Sequence, residues 1–187
     1  MRILVLGATG RTGKRIVAYA LAQGYQVNCL VRDVDRIAAK PNLNRIEGST
    51  TITTDVQHAL QGCSAIVSAL NISRTSDFPF APLRTPKEFL SKTMANVISV
   101  ANKNGIKRIV SCSAWGVADT RKDIPFWFRW MIDFSNIKYA YRDHERQEAL
   151  LEKSAMEWTI VRPVGLTNGR KDQKIIESIQ NFPKPDC

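Results

Sequence analysis

Near its start the chain sets three glycines at three-residue intervals, Gly7, Gly10 and Gly13 in "GATGRTG", directly behind the apolar run "RILVL" (2 to 6). A run of leucine and β-branched residues without polar alternation reads as a strand buried on both faces. Behind the glycines, "KRIVAYALAQG" (14 to 24) spaces Ile16, Val17, Ala20 and Leu21 at helical intervals and stops at Gly24, a natural C-terminal cap. A glycine-rich turn between a doubly buried strand and an amphipathic helix narrows the fold to a parallel sheet covered on both sides.

The rest of the chain repeats the cycle. Strands are expected at "QVNCLVR" (26 to 32), "NRIEG" (44 to 48), "SAIVSAL" (64 to 70), "KRIVSCSA" (107 to 114) and "WTIVRP" (158 to 163). Long helices are expected over 86 to 104 and 138 to 153. Right-handed crossovers then give an α/β fold, a doubly wound parallel (Rossmann) sheet of strand order 3-2-1-4-5-6 in three αβα layers. With 187 residues, no internal repeat and no low-complexity linker, residues 1 to 187 read as one domain. The Pro-rich stretch "RTSDFPFAPLRTP" (74 to 86) is the one long loop, a length that often carries function.

Each glycine has its own task in such a turn. Gly7 ends the first strand where the chain turns tightly, Gly10 lacks the Cβ that would hold a pyrophosphate off the backbone, and Gly13 lets the helix approach the sheet. The amides at the helix N-terminus then face the phosphates. Asp33, about 20 residues beyond the last glycine, has the spacing of a ribose 2′-hydroxyl ligand and points to NAD(H). Arg32 precedes it, and with Arg11 in the glycine loop it can fork onto a 2′-phosphate, which points to NADP(H). Asp33 can instead cap the short helix "DRIAAK". NADP(H) is the favoured cofactor and NAD(H) the alternative.

Composition removes several other functions. The net charge is +10, but Lys and Arg are spread along the whole length with no aromatic-rich basic stripe, which argues against nucleic acid. Apolar runs such as "AIVSAL" (65 to 70) fall far short of the roughly 20 residues of a membrane span. The N-terminus enters the first strand at Arg2 with no secretory signal ahead of it. Cys29, Cys63, Cys112 and Cys187 lack the paired spacing of a disulfide framework or a zinc site, so no metal is expected and a cytoplasmic location is.

Taken together, "GATGRTG", "LVRD", "GCSAIVSAL", "KRIVSCSAWGV" and "DHERQEALLEKSAMEWTIVRPVGLTNG" resemble the atypical short-chain dehydrogenase/reductases. Within them the match is to the NAD(P)H-binding, NmrA-like group that includes the biliverdin reductase B/flavin reductase type, over about residues 1 to 170. The resemblance implies NADP binding by Gly7, Thr9, Gly10, Arg11, Thr12, Gly13 and Arg32. It implies that Ala69, Leu70, Ser111 and Ser113, at the ends of strands four and five, lie beside the ribose and nicotinamide. Pro163 and Val164 would pass the carboxamide. Family members add a strand and helix beyond the sixth strand, whereas this sequence stops soon after it, as a shortened member or as one cut before its natural end.

Short-chain dehydrogenases normally activate a tyrosine with a lysine four residues later, because an ammonium lowers the phenol's pKa. That spacing is missing. Tyr139 is followed by Asp143 and Tyr141 by Glu145, while the residue four before His144 is Ala140. The catalytic candidates are therefore Ser113, to position a substrate oxygen, and Tyr141 and His144 as proton donors. His144 can instead be a surface residue of "RDHERQE", and His58 reads as exposed on a helix. A flavin, quinone or other conjugated carbonyl accepts hydride directly and takes its proton from water, so orientation and a stacking floor suffice. The segment "IPFWFRWMIDF" (124 to 134) offers aromatic material for that floor, for the core, or for a homodimer or protein contact. The lost tyrosine–lysine pair also fits a non-catalytic NADP(H) sensor of NmrA-like type that binds a protein partner.

Overall fold

The structure, a computed structural model, describes residues 1–164. Six strands form one sheet in the order β3-β2-β1-β4-β5-β6, every neighbouring pair parallel, as the alternation of apolar runs requires. They are β1 (Arg2–Leu6), β2 (Gln26–Val31), β3 (Leu43–Glu47), β4 (Ala65–Ser68), β5 (Arg108–Cys112) and β6 (Glu157–Val161). The helices are α1 (Arg11–Ala22), α2 (Thr53–Ala59), α3 (Phe89–Lys103), α4 (Phe126–Phe134) and α5 (Ile137–Glu152). No helix among the described residues is long and apolar enough to cross a membrane.

β1 shows how the strand composition serves the layers. Leu4 and Leu6 point into one core with Val56 and Leu60 of α2, Met94 and Val97 of α3 and Leu151 of α5. Ile3 and Val5 point the other way, against Val17 and Ala20 of α1 and Val27 and Cys29 of β2. Both faces are covered from Ile3 to Leu6, and the one charge of the strand, Arg2, sits at its half-buried start. The two cores bury most of their side chains completely, at roughly 1.5–3 kcal/mol for each large apolar one.

Local departures from the expected boundaries have local causes. β4 stops at Ser68 rather than at 70, because Ala69 and Leu70 already run against the backbone of Gly7. After β2 the expected "DRIAAK" helix is a single turn of 3-10 helix, Val34–Arg36, capped by Asp33, whose Oδ1 accepts from the amide of Asp35 at 3.0 Å. His58 is exposed on α2, as its sequence position indicated. The segment 124 to 134 is mostly α4. The chain beyond the sixth strand, where the family adds a strand and helix, lies outside the described residues.

Candidate functional site

The glycine turn is built by close approach. Gly7 has φ +79°, and a Cβ there would stand 2.7 Å from the carbonyl oxygen of Ala69. A Cβ on Gly13 would stand 2.1 Å from the carbonyl oxygen of Gly7, so these two glycines lock α1 to the ends of β1 and β4. Gly10 differs. Its Cβ would meet only the carbonyl oxygen of Gly7, at 3.2 Å, with nothing else within 4 Å. Apart from that one close contact the described residues leave the space open, which gives a ligand room to approach the Gly10 backbone.

Gly10 is also the N-cap of α1 and has no side chain with which to cap it. The first turn closes when the Lys14 amide donates to the Gly10 carbonyl at 3.0 Å. The amides of Arg11, Thr12 and Gly13 precede that bond and have no helical acceptor. Donors and helix dipole together suit an anionic group.

From this turn a cleft of about 750 Å³ runs along the C-terminal ends of the strands. At the glycine end it is lined by Thr9, Arg11, Thr12, Arg15 and Arg32, and from the long loop by Arg74 and Asp77. Four arginines therefore face one acid, and that acid is bridged to Arg11 at 3.4 Å with both side chains exposed. Gly48, Ser49 and Thr50 continue the wall beyond β3. Asp33 is not in the lining; its carboxylate serves the turn it caps. The cleft thus fits a dinucleotide, with guanidinium groups where phosphates need charge.

The far end lies beyond β4 and β5. Ala69, Leu70, Ser113, Ala114, Trp115, Phe128 of α4, Tyr141 of α5 and Pro163 all line the cleft there. Backbone bonds knit this end together: the Ser113 amide donates to the Val161 carbonyl at 2.8 Å and the Trp115 amide to the Pro163 carbonyl at 3.2 Å. Ser113 is 6 % exposed, and its hydroxyl has no partner among the described residues, so it is free to bond an oxygen or amide of a ligand. The indole N–H of Trp115 is likewise buried and unpartnered. The Tyr141 hydroxyl donates to the Trp115 carbonyl at 3.3 Å, and burial pushes its pKa above that of a free phenol. A phenol held that way stays protonated and is a poor proton relay near neutral pH.

Several residues expected at the site are elsewhere. Ser111 is fully buried inside β5, where its hydroxyl accepts from Gln147 Nε2 at 3.0 Å; Ser113, two residues on and on the same face, is the one at the sheet's edge. Gly13 packs the turn and does not line the cleft, and Val164 is exposed beyond Pro163. His144 is not on the surface but 3 % exposed, and burial lowers its pKa to about 4 despite the neighbouring Asp143. It is a neutral imidazole at pH 7, outside the cleft lining.

Tyr139 does meet a lysine, though not one on its own helix. Lys87 lies 4.3 Å from the ring centroid, and its hydrogen bond and charge lower the phenol's pKa. Tyr139 packs beside Ile72, Leu90 and Ala140 and takes no part in the cleft wall. Arg15 and Arg74 were missed from the sequence. Arg15 could have been found, since it stands one helical turn after Arg11.

α5 carries a line of buried polar groups. Asp143 accepts from the amides of Leu90 at 2.6 Å and Ser91 at 3.3 Å and from the Ser91 hydroxyl at 2.5 Å, so it caps α3 from another helix. Glu148 takes both arms of Arg162, at 3.1 and 2.7 Å, and Arg162 reaches Asp119 at 2.6 Å. The bonds to Glu148 and its charge raise the Arg162 pKa further. These carboxylates hold helix to helix and helix to sheet edge, and neither lines the cleft.

Comparison with known proteins agrees with this geometry. A family model described as NAD(P)H-binding matches residues 7–185. The chain is 29% identical over 189 residues to the photosystem II assembly factor Ycf39 of Trieres chinensis, covering 98% of this chain and 51% of that protein. It is 27% identical over 178 residues to an uncharacterized chloroplastic protein of Arabidopsis thaliana, covering 89% of this chain and 60% of that one. The chain thus spans a little over half the length of these curated relatives. Among solved structures, ChuY, an anaerobillin reductase from Escherichia coli O157:H7, superposes with a TM-score of 0.75 at 21% identity, over 95% of this chain and 81% of that one. A short-chain dehydrogenase/reductase from Veillonella parvula in complex with NADP gives 0.68 at 18% identity, over 86% and 68%.

Proposed function

The chain belongs to the NAD(P)H-binding family, and from that premise we propose that it is an NADPH-dependent reductase that passes hydride to a flavin, quinone or other conjugated carbonyl acceptor without a tyrosine–lysine pair. The observation that carries this reading is the single cleft that joins the open amides and arginines of the glycine turn to the Ser113–Tyr141 end. A reduced nicotinamide dinucleotide bound in it supplies the hydride, two electrons and one proton's mass, and the acceptor's remaining proton comes from water.

In this reading the turn amides and Thr9, Thr12 and Gly10 take the pyrophosphate. Arg11 and Arg32, helped by Arg15 and Arg74, take a 2′-phosphate, which favours NADP(H) over NAD(H). Ala69, Leu70 and Pro163 bound the far end. Ser113 holds an oxygen or amide there, and Trp115 and Phe128 supply apolar walls against which a flat acceptor can lie. Tyr141 positions through its bond to the Trp115 carbonyl rather than by giving up its proton. The described cysteines Cys29, Cys63 and Cys112 are all unpaired, which supports a reducing compartment such as the cytoplasm.

A second reading is a non-catalytic NADP(H)-binding regulator that works through a protein partner. The raised phenol pKa of Tyr141 favours it, as does similarity to proteins named as assembly factors. Incubation with NADPH and a panel of flavins, quinones and aldehydes, followed by nicotinamide absorbance, separates the two. Turnover with a conjugated acceptor is expected. Tight NADPH binding with no oxidation by any acceptor would transfer the assignment to the regulator.

A further inference from the structure

α4 is apolar on two opposite sides, and among the described residues only one of them has a protein neighbour. Ile132 is buried and Phe128 faces the cleft. Phe126, Trp127, Trp130 and Phe134 are exposed by 75, 66, 55 and 63 %. At 3.6 residues per turn these four fall within about 100° of arc on the side away from Ile132. The rings of Trp130 and Phe134 lie 5.2 Å apart. Just past the helix, Asn136 draws in the long loop: its amide donates to the Pro79 carbonyl at 3.0 Å and its Nδ2 to the Phe80 and Ala81 carbonyls at 2.9 and 3.1 Å. That loop adds Phe78 and Phe80, each more than half exposed. Six exposed aromatic rings on one helix and the loop tied to its end are far more than the scattered apolar residues of a soluble surface.

The charges around this face narrow what can cover it. Between residues 119 and 138, Asp119 is bonded to Arg162 and Asp133 to Arg121. That leaves Asp123 against Lys122 and Arg129, none of which makes an ion pair among the described residues; Lys138 lies on the side of Ile132. The chain as a whole carries +10. A second copy of the chain, related by a two-fold axis, would bring two strongly positive molecules together at this face. An anionic lipid surface neutralises that charge instead. Tryptophan and phenylalanine on one helix face with cations beside them are the composition that lies in the headgroup region of a bilayer.

We propose that α4 and the Phe78–Phe80 loop form a docking face for an anionic membrane surface, on which the protein lies without spanning. The proposal does not depend on the reductase reading. Its test is flotation of the intact protein with vesicles of pure phosphatidylcholine and of phosphatidylcholine mixed with phosphatidylglycerol, alongside tryptophan fluorescence and light scattering. Expected are binding to the mixed vesicles with a blue shift, loss of binding as salt rises, and a partition at least about tenfold weaker for the triple variant W127A/W130A/F134A. Circular dichroism of that variant should match the wild type, since all three side chains are exposed. Failure to bind mixed vesicles would overturn the proposal, as would unchanged binding by the folded triple variant. A wild-type dimer that the triple variant abolishes, with no vesicle binding, would give the face to a second copy.

Discussion

The glycine turn and the inner face of α5 treat polar groups in opposite ways. At the glycine turn, backbone amides and guanidinium groups are left facing the solvent, and little inside the protein answers them. On α5, polar groups of the helix are turned inward and bonded to other elements: Asp143 to the start of α3, Gln147 to Ser111 of β5, Glu148 to Arg162. The first arrangement waits for an anion. The second is scaffold, built into the helix that carries Tyr141. On the proposed reading, the difference means that cofactor binding and proton transfer are separable: the open turn serves the first, and the polar groups of α5 are already committed to structural bonds.

The sharpest break in the comparison lies within the turn itself. Gly13→Ala forces a Cβ to 2.1 Å from a backbone oxygen, so loss of the folded state is expected by circular dichroism. A Cβ at Gly10 meets only one atom, at 3.2 Å, so Gly10→Val is expected to give a folded protein whose NADPH affinity falls by about a hundredfold or more in calorimetric titration. A folded Gly10 variant with normal affinity would mean that the turn does not hold phosphates.

On α5, His144 should make stability pH-dependent. Its folded pKa of about 4 lies below the ordinary histidine value of 6.5, so the unfolded chain binds the proton more tightly. The contribution is fully present above pH 6.5 and is lost as pH falls from 6.5 toward 4, by about 3 kcal/mol across the window. Urea unfolding of the wild type and His144→Gln between those pH values should show a shallower loss in the variant. Parallel curves would place the imidazole in water.

Arg32→Ala probes the open end more gently. A charge-assisted contact to a 2′-phosphate contributes about 1.5–3 kcal/mol, so NADPH should bind the wild type about tenfold or more better than NADH, and the variant should lose most of that margin. Equal affinities in the wild type would remove the phosphate from this account.

The contrast between the turn and α5 also explains what the sequence made legible. Strand order and the glycine turn could be read because a doubly buried parallel strand is a continuous apolar run and a tight approach needs glycine, both properties of contiguous residues. The inward face of α5 could not. "YRDHERQE" looks like a solvated helix, and the groups that bury Asp143 and Glu148, the Leu90 amide and Arg162, lie 53 and 14 residues away. Ser111 and Ser113 are indistinguishable by pattern, and only the length of β5 decides which one reaches the cleft. Arg74 joins the site through the fold of a long loop, which no local spacing encodes.

Tyr141→Phe tests the central claim most directly, because it removes the one phenol in the cleft wall and leaves the ring that shapes it. With NADPH and whichever conjugated acceptor the wild type turns over, kcat/KM is expected to stay within about tenfold of the wild-type value, since proton transfer by a positioned side chain contributes 10²–10⁴-fold and none is lost. A fall of more than a hundredfold would contradict the claim and make Tyr141 the proton donor of a conventional carbonyl reductase.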